Sequence, residues 1–122
     1  MCTQTRIFAR IGFFCSLVPL VEERMRRMRE RDIERKLVVE IKKLKGLCEK
    51  WTAGSSGWPD RIVMLPGRSI AFVEVKAPGK KPRPLQLKRH EKLRQLGYQV
   101  FVLDDPDKIA GIIDEIQSGG DA

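Results

Sequence analysis

Apolar residues recur at two rhythms along this chain. Ile33, Leu37, Ile41 and Leu44 stand three or four apart with Lys, Arg and Glu between them. That spacing predicts an amphipathic helix over 30–46, stopped by Gly46. A second helix is predicted over 85–96, stopped by Gly97, and a third after Asp105-Pro106, where Asp serves as N-cap and Pro as the first helical residue. Ile109, Ile112, Ile113 and Ile116 form the apolar stripe of the third. Shorter apolar runs read as strands over 47–52, 61–65, 69–76 and 98–103. Pro66-Gly67 turns the second strand into the third, and residues 53–58 (AGSSGW) form a loop. The order α-β-β-β-α-β-α predicts an α/β fold, a mixed four-stranded sheet flanked by helices.

The third strand carries the first chemistry. Ile70, Phe72, Glu74 and Lys76 share one of its faces, and Ala71, Val73 and Val75 share the other. Both faces are apolar until Glu74, as in a strand covered on both sides. A carboxylate there is costly to bury unless it is paired or bound to a metal. If the hairpin loop is Pro66-Gly67-Arg68, Asp60 lies opposite Glu74. If the loop has two residues, Asp60 lies opposite Val73. Either register makes the two acids cross-strand neighbours, roughly 5 Å apart at the backbone. Like charges so close repel, and a divalent cation between them removes the conflict. Lys76 follows two residues on, roughly 6–7 Å along the same face. A Glu-x-Lys alone is a common strand-end ion pair worth little. An Asp delivered opposite that Glu is what points to metal-dependent phosphodiester chemistry.

Charge and length agree with a polyanionic partner. The 122 residues suit one domain, with a net charge of +8. Residues 1–31 hold seven Arg against three Glu, and residues 32–122 hold 17 Lys and Arg against 13 acids, so each part carries +4. Cys2, Cys15 and Cys48 form no CxxC pair, and with one His the chain has neither a zinc set nor a disulfide framework. Free thiols suit a reducing cytoplasm. The apolar run 11–21 has only 11 residues, too short to span a bilayer, so no membrane partner is expected. Residues 1–27 read as an N-terminal extension, 28–118 as the domain and 119–122 as a frayed tail.

Several residues surround the acidic pair. Glu34 and Glu40 flank the stripe of the first helix, and periodicity does not choose between them. Gln86 opens the second helix, where backbone N–H groups suit a phosphate, and His90 follows one turn later, a place more often structural. Lys80, Lys81 and Arg83 sit in the loop after Lys76, with Lys88, Arg89, Lys92 and Arg94 along the helix beyond it, a set suited to backbone phosphates. Trp51 and Trp58 flank the Gly/Ser loop and are candidates to stack on unpaired bases, with Trp51 expected rather in the core. Trp58 is open to either role, core or base stacking.

Together these segments resemble the VRR-NUC domain, a branch of the PD-(D/E)XK nuclease superfamily, in its short single-domain phage and bacterial form. The likeness is carried by residues 28–34 (MRERDIE), 57–66 (GWPDRIVMLP), 72–81 (FVEVKAPGKK), 84–97 (PLQLKRHEKLRQLG) and 98–102. It runs from about Met28 to Ile116; the segment upstream departs from the family pattern. The resemblance implies that Asp60, Glu74 and the Val75 carbonyl ligate Mg²⁺ or Mn²⁺ and that Lys76 positions the attacking water. It selects Glu34 as the helix glutamate and makes Gln86 the auxiliary polar residue. It further implies a homodimer that cuts branched DNA such as four-way junctions, in the cytoplasm of a bacterial or phage-infected cell.

Overall fold

The structure, a computed structural model, describes residues 28–119. The expected extension over 1–27, with its apolar run, and residues 120–122 lie outside the described residues. The elements follow the expected order: α1 (Glu30–Lys43), β1 (Leu47–Lys50), β2 (Arg61–Leu65), β3 (Ser69–Val75), α2 (Pro84–Gln95), β4 (Gln99–Leu103) and α3 (Ile109–Gly119). α3 is entered through a 3-10 turn over Pro106–Lys108, where Asp105 Oδ1 accepts from Asp107 N–H at 2.9 Å. The helix runs to Gly119, one residue into the expected tail. The sheet order is β1-β2-β3-β4, antiparallel through β3 and parallel between β3 and β4. This is the mixed sheet the element order predicts.

α1 ends earlier than its pattern suggests. Lys45 N–H reaches Lys42 O at 2.9 Å and Gly46 N–H reaches Ile41 O at 3.0 Å, the paired closure in which the residue after the cap turns left-handed. That residue is Lys45, at φ 63°, and not Gly46. Gly46 is required for a different reason: a Cβ there would stand 2.6 Å from the Met64 carbonyl oxygen. The glycine lets α1 pass directly into β1 against β2.

The two sheet faces bury different things. α1 and α3 cover one face with Ile33, Leu37, Ile41, Ile109, Ile112, Ile113 and Ile116, packed on Val63, Leu65, Ala71, Val73, Val75 and Leu103. On the other face, α2 contributes Leu93 to a small core with Phe72 and Val100, rimmed by Trp58 and Ile62. β3 runs between both layers and is buried along nearly its whole length, as its apolar pattern predicts.

Candidate active site

The hairpin resolves to the three-residue loop, with Leu65 paired to Ser69 and Arg61 to Val73. Continuing that register sets Asp60 opposite Glu74. The arrangement is pinned at the backbone, because Val75 N–H donates to Asp60 Oδ2 at 3.0 Å. Asp60 is delivered by the 53–58 loop, whose last turn needs Gly57: its φ is 91°, and a Cβ would meet Leu85 atoms at 3.0 and 3.1 Å. Only glycine combines that conformation with so close an approach to α2.

Glu74 is fully buried. One carboxylate oxygen, Oε1, lies 3.4 Å from His90 Nε2, at the long end of hydrogen-bond range. The other, Oε2, lies 3.8 Å from Lys76 Nζ and has no hydrogen-bond partner among the described residues. Burial, and then the neighbouring Glu74, push the Asp60 carboxyl up to about 7. Burial also opposes ionisation of Glu74, but His90, Asp60 and Lys76 outweigh it and hold Glu74 below the usual range. Near neutrality the two carboxyl groups therefore hold about one proton between them.

Oxygen-binding cations take donor sets of this kind. Two converging carboxylates, one with a buried oxygen left unpartnered, suit Mg²⁺ or Mn²⁺. Such ions take one or two protein carboxylates and complete their shell with water, backbone oxygen and substrate phosphate. Among the described residues no group of three or more His, Cys, Asp and Glu side chains is placed to hold a metal ion. The Val75 carbonyl belongs to the same strand end.

His90 is the residue that sequence reasoning undervalued. It is fully buried beneath Glu74, and its Nδ1 has no hydrogen-bond partner among the described residues. The signal for it is faint. Leu85, Leu87 and Leu96 are exposed while His90 and Leu93 are buried, so the apolar spacing of α2 does not reveal its inner face.

Other expected residues are placed elsewhere. Glu34 accepts from Arg61 Nε at 2.6 Å and lies 3.8 Å from Lys50 Nζ. Arg61 belongs to the α1/α3 face, so Glu34 is drawn to the face opposite Asp60 and Glu74. Glu30, one turn earlier, is the helix carboxylate whose charge bears on Asp60. Gln86 caps its own helix, accepting from Arg83 N–H at 2.8 Å. Lys80, Lys81, Arg83 and Lys88 are exposed. The Arg89 guanidinium lies 4.9 Å over the Trp58 ring, and Ser55 Oγ accepts from both Trp58 Nε1 and Arg89 Nη2 at 3.0 and 3.3 Å. Trp58 is thus a half-buried strut. Trp51, expected in the core, is 38 % exposed, because β1 is the sheet edge and, among the described residues, no helix covers it there. Cys48 is buried and its thiol is pushed up to about 11, chiefly by burial, which leaves it inert.

A groove of about 600 Å³ on the other side of the molecule is lined by Lys36, Glu40, Asp107 and Ile113 among others, which places Glu40 away from Asp60, Glu74, Lys76 and His90. No helix among the described residues is long and apolar enough to cross a membrane.

Comparison with known proteins agrees with the geometry. The VRR-NUC domain family model matches residues 15–105, starting upstream of Met28 and stopping short of α3. The provisionally named nuclease p44 of Acyrthosiphon pisum secondary endosymbiont phage 1 is 51% identical over 84 residues, 68% of this chain and 90% of its own length. A solved VRR_NUC domain superposes with a TM-score of 0.66 at 36% identity, covering 70% of this chain and 94% of its own. With Asp60, Glu74 and Lys76 gathered at one strand end of this sheet, the chain belongs to the VRR-NUC family, within the PD-(D/E)XK nuclease superfamily.

Proposed function

We propose that the chain is a Mg²⁺- or Mn²⁺-dependent endonuclease that hydrolyses phosphodiester bonds in DNA, with branched DNA such as a four-way junction as its substrate. One observation carries this reading: a fully buried Glu74 with an unpartnered oxygen, set opposite Asp60 and 3.8 Å from Lys76. Nothing in the packing requires two acids there, and their mutual repulsion costs stability. A bound divalent cation would supply the Lewis acid toward a non-bridging phosphate oxygen.

The chain's own groups divide the remaining work. Asp60 and Glu74 furnish the negative charge that selects a cation, and Asp60 must give up its proton to do so. Lys76, its side chain 16 % exposed beside Glu74, holds the attacking water in line and stabilises the charge that develops. Lys80, Lys81, Arg83, Lys88 and Arg89 rim the same side and meet backbone phosphates. Gln86 is free to exchange its cap for a phosphate contact. The helix-glutamate role falls on Glu34 by family likeness. Glu30 is the rival, because Glu34 is held by Arg61. A homodimer would bring two such sites to a symmetric junction, and its reduced thiol at Cys48 suits the cytoplasm of a bacterium or an infected cell.

Cleavage of end-labelled four-way junction, flap, single-strand and plain duplex DNA with Mg²⁺, Mn²⁺ or EDTA tests the reading, alongside Lys76→Ala. Metal-dependent cutting of the junction, lost in the variant, is the expected result. Binding without cutting under every metal would show a nucleic-acid-binding module instead.

A further inference from the structure

β1 pairs with β2 beyond its last strand residue. After Lys50 opposite Arg61, Trp51 N–H donates to the Asp60 carbonyl at 2.9 Å. Trp51 therefore stands opposite Asp60 as Asp60 stands opposite Glu74, and the three share one row on one face of the sheet. Side chains so opposed have Cβ atoms about 5 Å apart. The edge position leaves the indole 38 % exposed.

Its underside is fixed. The Trp51 ring lies 5.8 Å from Trp58 at an interplanar angle of 52° and 6.0 Å from Phe72 edge to face. Trp58 is in turn clamped by Arg89 and Ser55. A rigid aromatic with one side packed and one side open, beside a phosphodiester site and a basic rim, suits a nucleobase. Stacking on an aromatic ring is indifferent to base identity. Within duplex DNA, however, both faces of each base are already covered by neighbours, and only an unpaired or frayed base has a face to offer.

The geometry points to Trp51 as a stacking platform for an unpaired nucleobase next to the bond being cut, which makes it a determinant of selectivity for DNA with locally unpaired nucleotides. This rests on the nuclease reading. It narrows that reading from branched DNA in general to substrates whose strands part at the site.

The test uses the full chain carrying Lys76→Ala, in EDTA, so that binding is read without cleavage. Affinity is measured for blunt duplex and for the same duplex with a short unpaired stretch, in the parent and with Trp51→Ala, Trp51→Phe or Tyr98→Ala added. Tyr98 is 46 % exposed and meets Phe72 edge to face at 6.0 Å, but it lies at the far end of the sheet from Asp60. Trp51→Ala should weaken binding of the unpaired substrate about tenfold more than that of duplex. Trp51→Phe should restore most of the difference, and Tyr98→Ala should match the parent. Equal losses on both substrates, no loss, or the same selectivity change in Tyr98→Ala would overturn the platform. Wild-type cleavage of junction DNA in Mg²⁺ is scored separately. Cutting by a protein whose Trp51→Ala form shows no altered selectivity sinks the platform alone, whereas a wild type that neither binds nor cuts DNA sinks the nuclease reading with it.

Discussion

The two faces of the sheet differ in what they spend their burial on. The face under α1 and α3 is closed and almost wholly apolar, with Ile33, Leu37, Ile41 and Ile116 completely buried. The face under α2 has a core of three buried apolar residues and places Asp60, Glu74, His90 and three further aromatic rings around it. β3 belongs to both faces, and its alternation sends valines one way and Glu74 the other. The lesson is a division of labour. The closed face contributes the stability that lets the other tolerate a buried, half-satisfied pair of acids.

The sharpest way to break the comparison is to damage one face and watch the other. Leu37→Ala should cost about 2–5 kcal/mol of stability, seen as a lower denaturation midpoint, while cleavage per folded molecule stays close to wild type. Lys76→Ala should do the reverse, lowering kcat about 10²–10³-fold with the midpoint unchanged. His90→Ala tests whether the imidazole orients Glu74 or merely fills space. A lost partner behind a metal-binding carboxylate should cost about 10–100-fold in cation affinity, and His90→Gln should recover part of it. A fall in midpoint with unchanged cation affinity would reduce His90 to packing.

The smallest effect concerns pH. Asp60 holds its proton more tightly folded than unfolded, so its contribution to the cation-free fold is complete below its ordinary value of 3.8 and is lost as pH rises through about 7. Relative to Asp60→Asn, wild type should lose stability across that window in EDTA. Saturating Mg²⁺ should abolish the difference in slope, because cation binding favours the deprotonated form.

The fold was largely legible in the sequence because its signals are local: helical spacing in α1 and α3, the Pro66-Gly67 turn, and Asp105-Pro106 before α3. The Asp60–Glu74 juxtaposition was legible too, since a hairpin converts sequence distance into cross-strand contact, leaving only the loop length to be settled. What escaped depends on partners far apart in sequence. Arg61, 27 residues on, claims Glu34. His90 meets Glu74 across 16 residues, on a helix whose exposed leucines blur its inner face. Trp51 looked like core until the edge position of β1 was known. Lys45 took the left-handed turn that glycine was expected to take, because Gly46 was needed against Met64.

The central claim is that Asp60 and Glu74 form one cation site, and calorimetric titration of Mn²⁺ into wild type and Glu74→Gln tests it most directly. The account predicts one site per chain in wild type, weakening about tenfold for each pH unit below about 7, and no saturable binding in the variant. Equal binding by both proteins would contradict it.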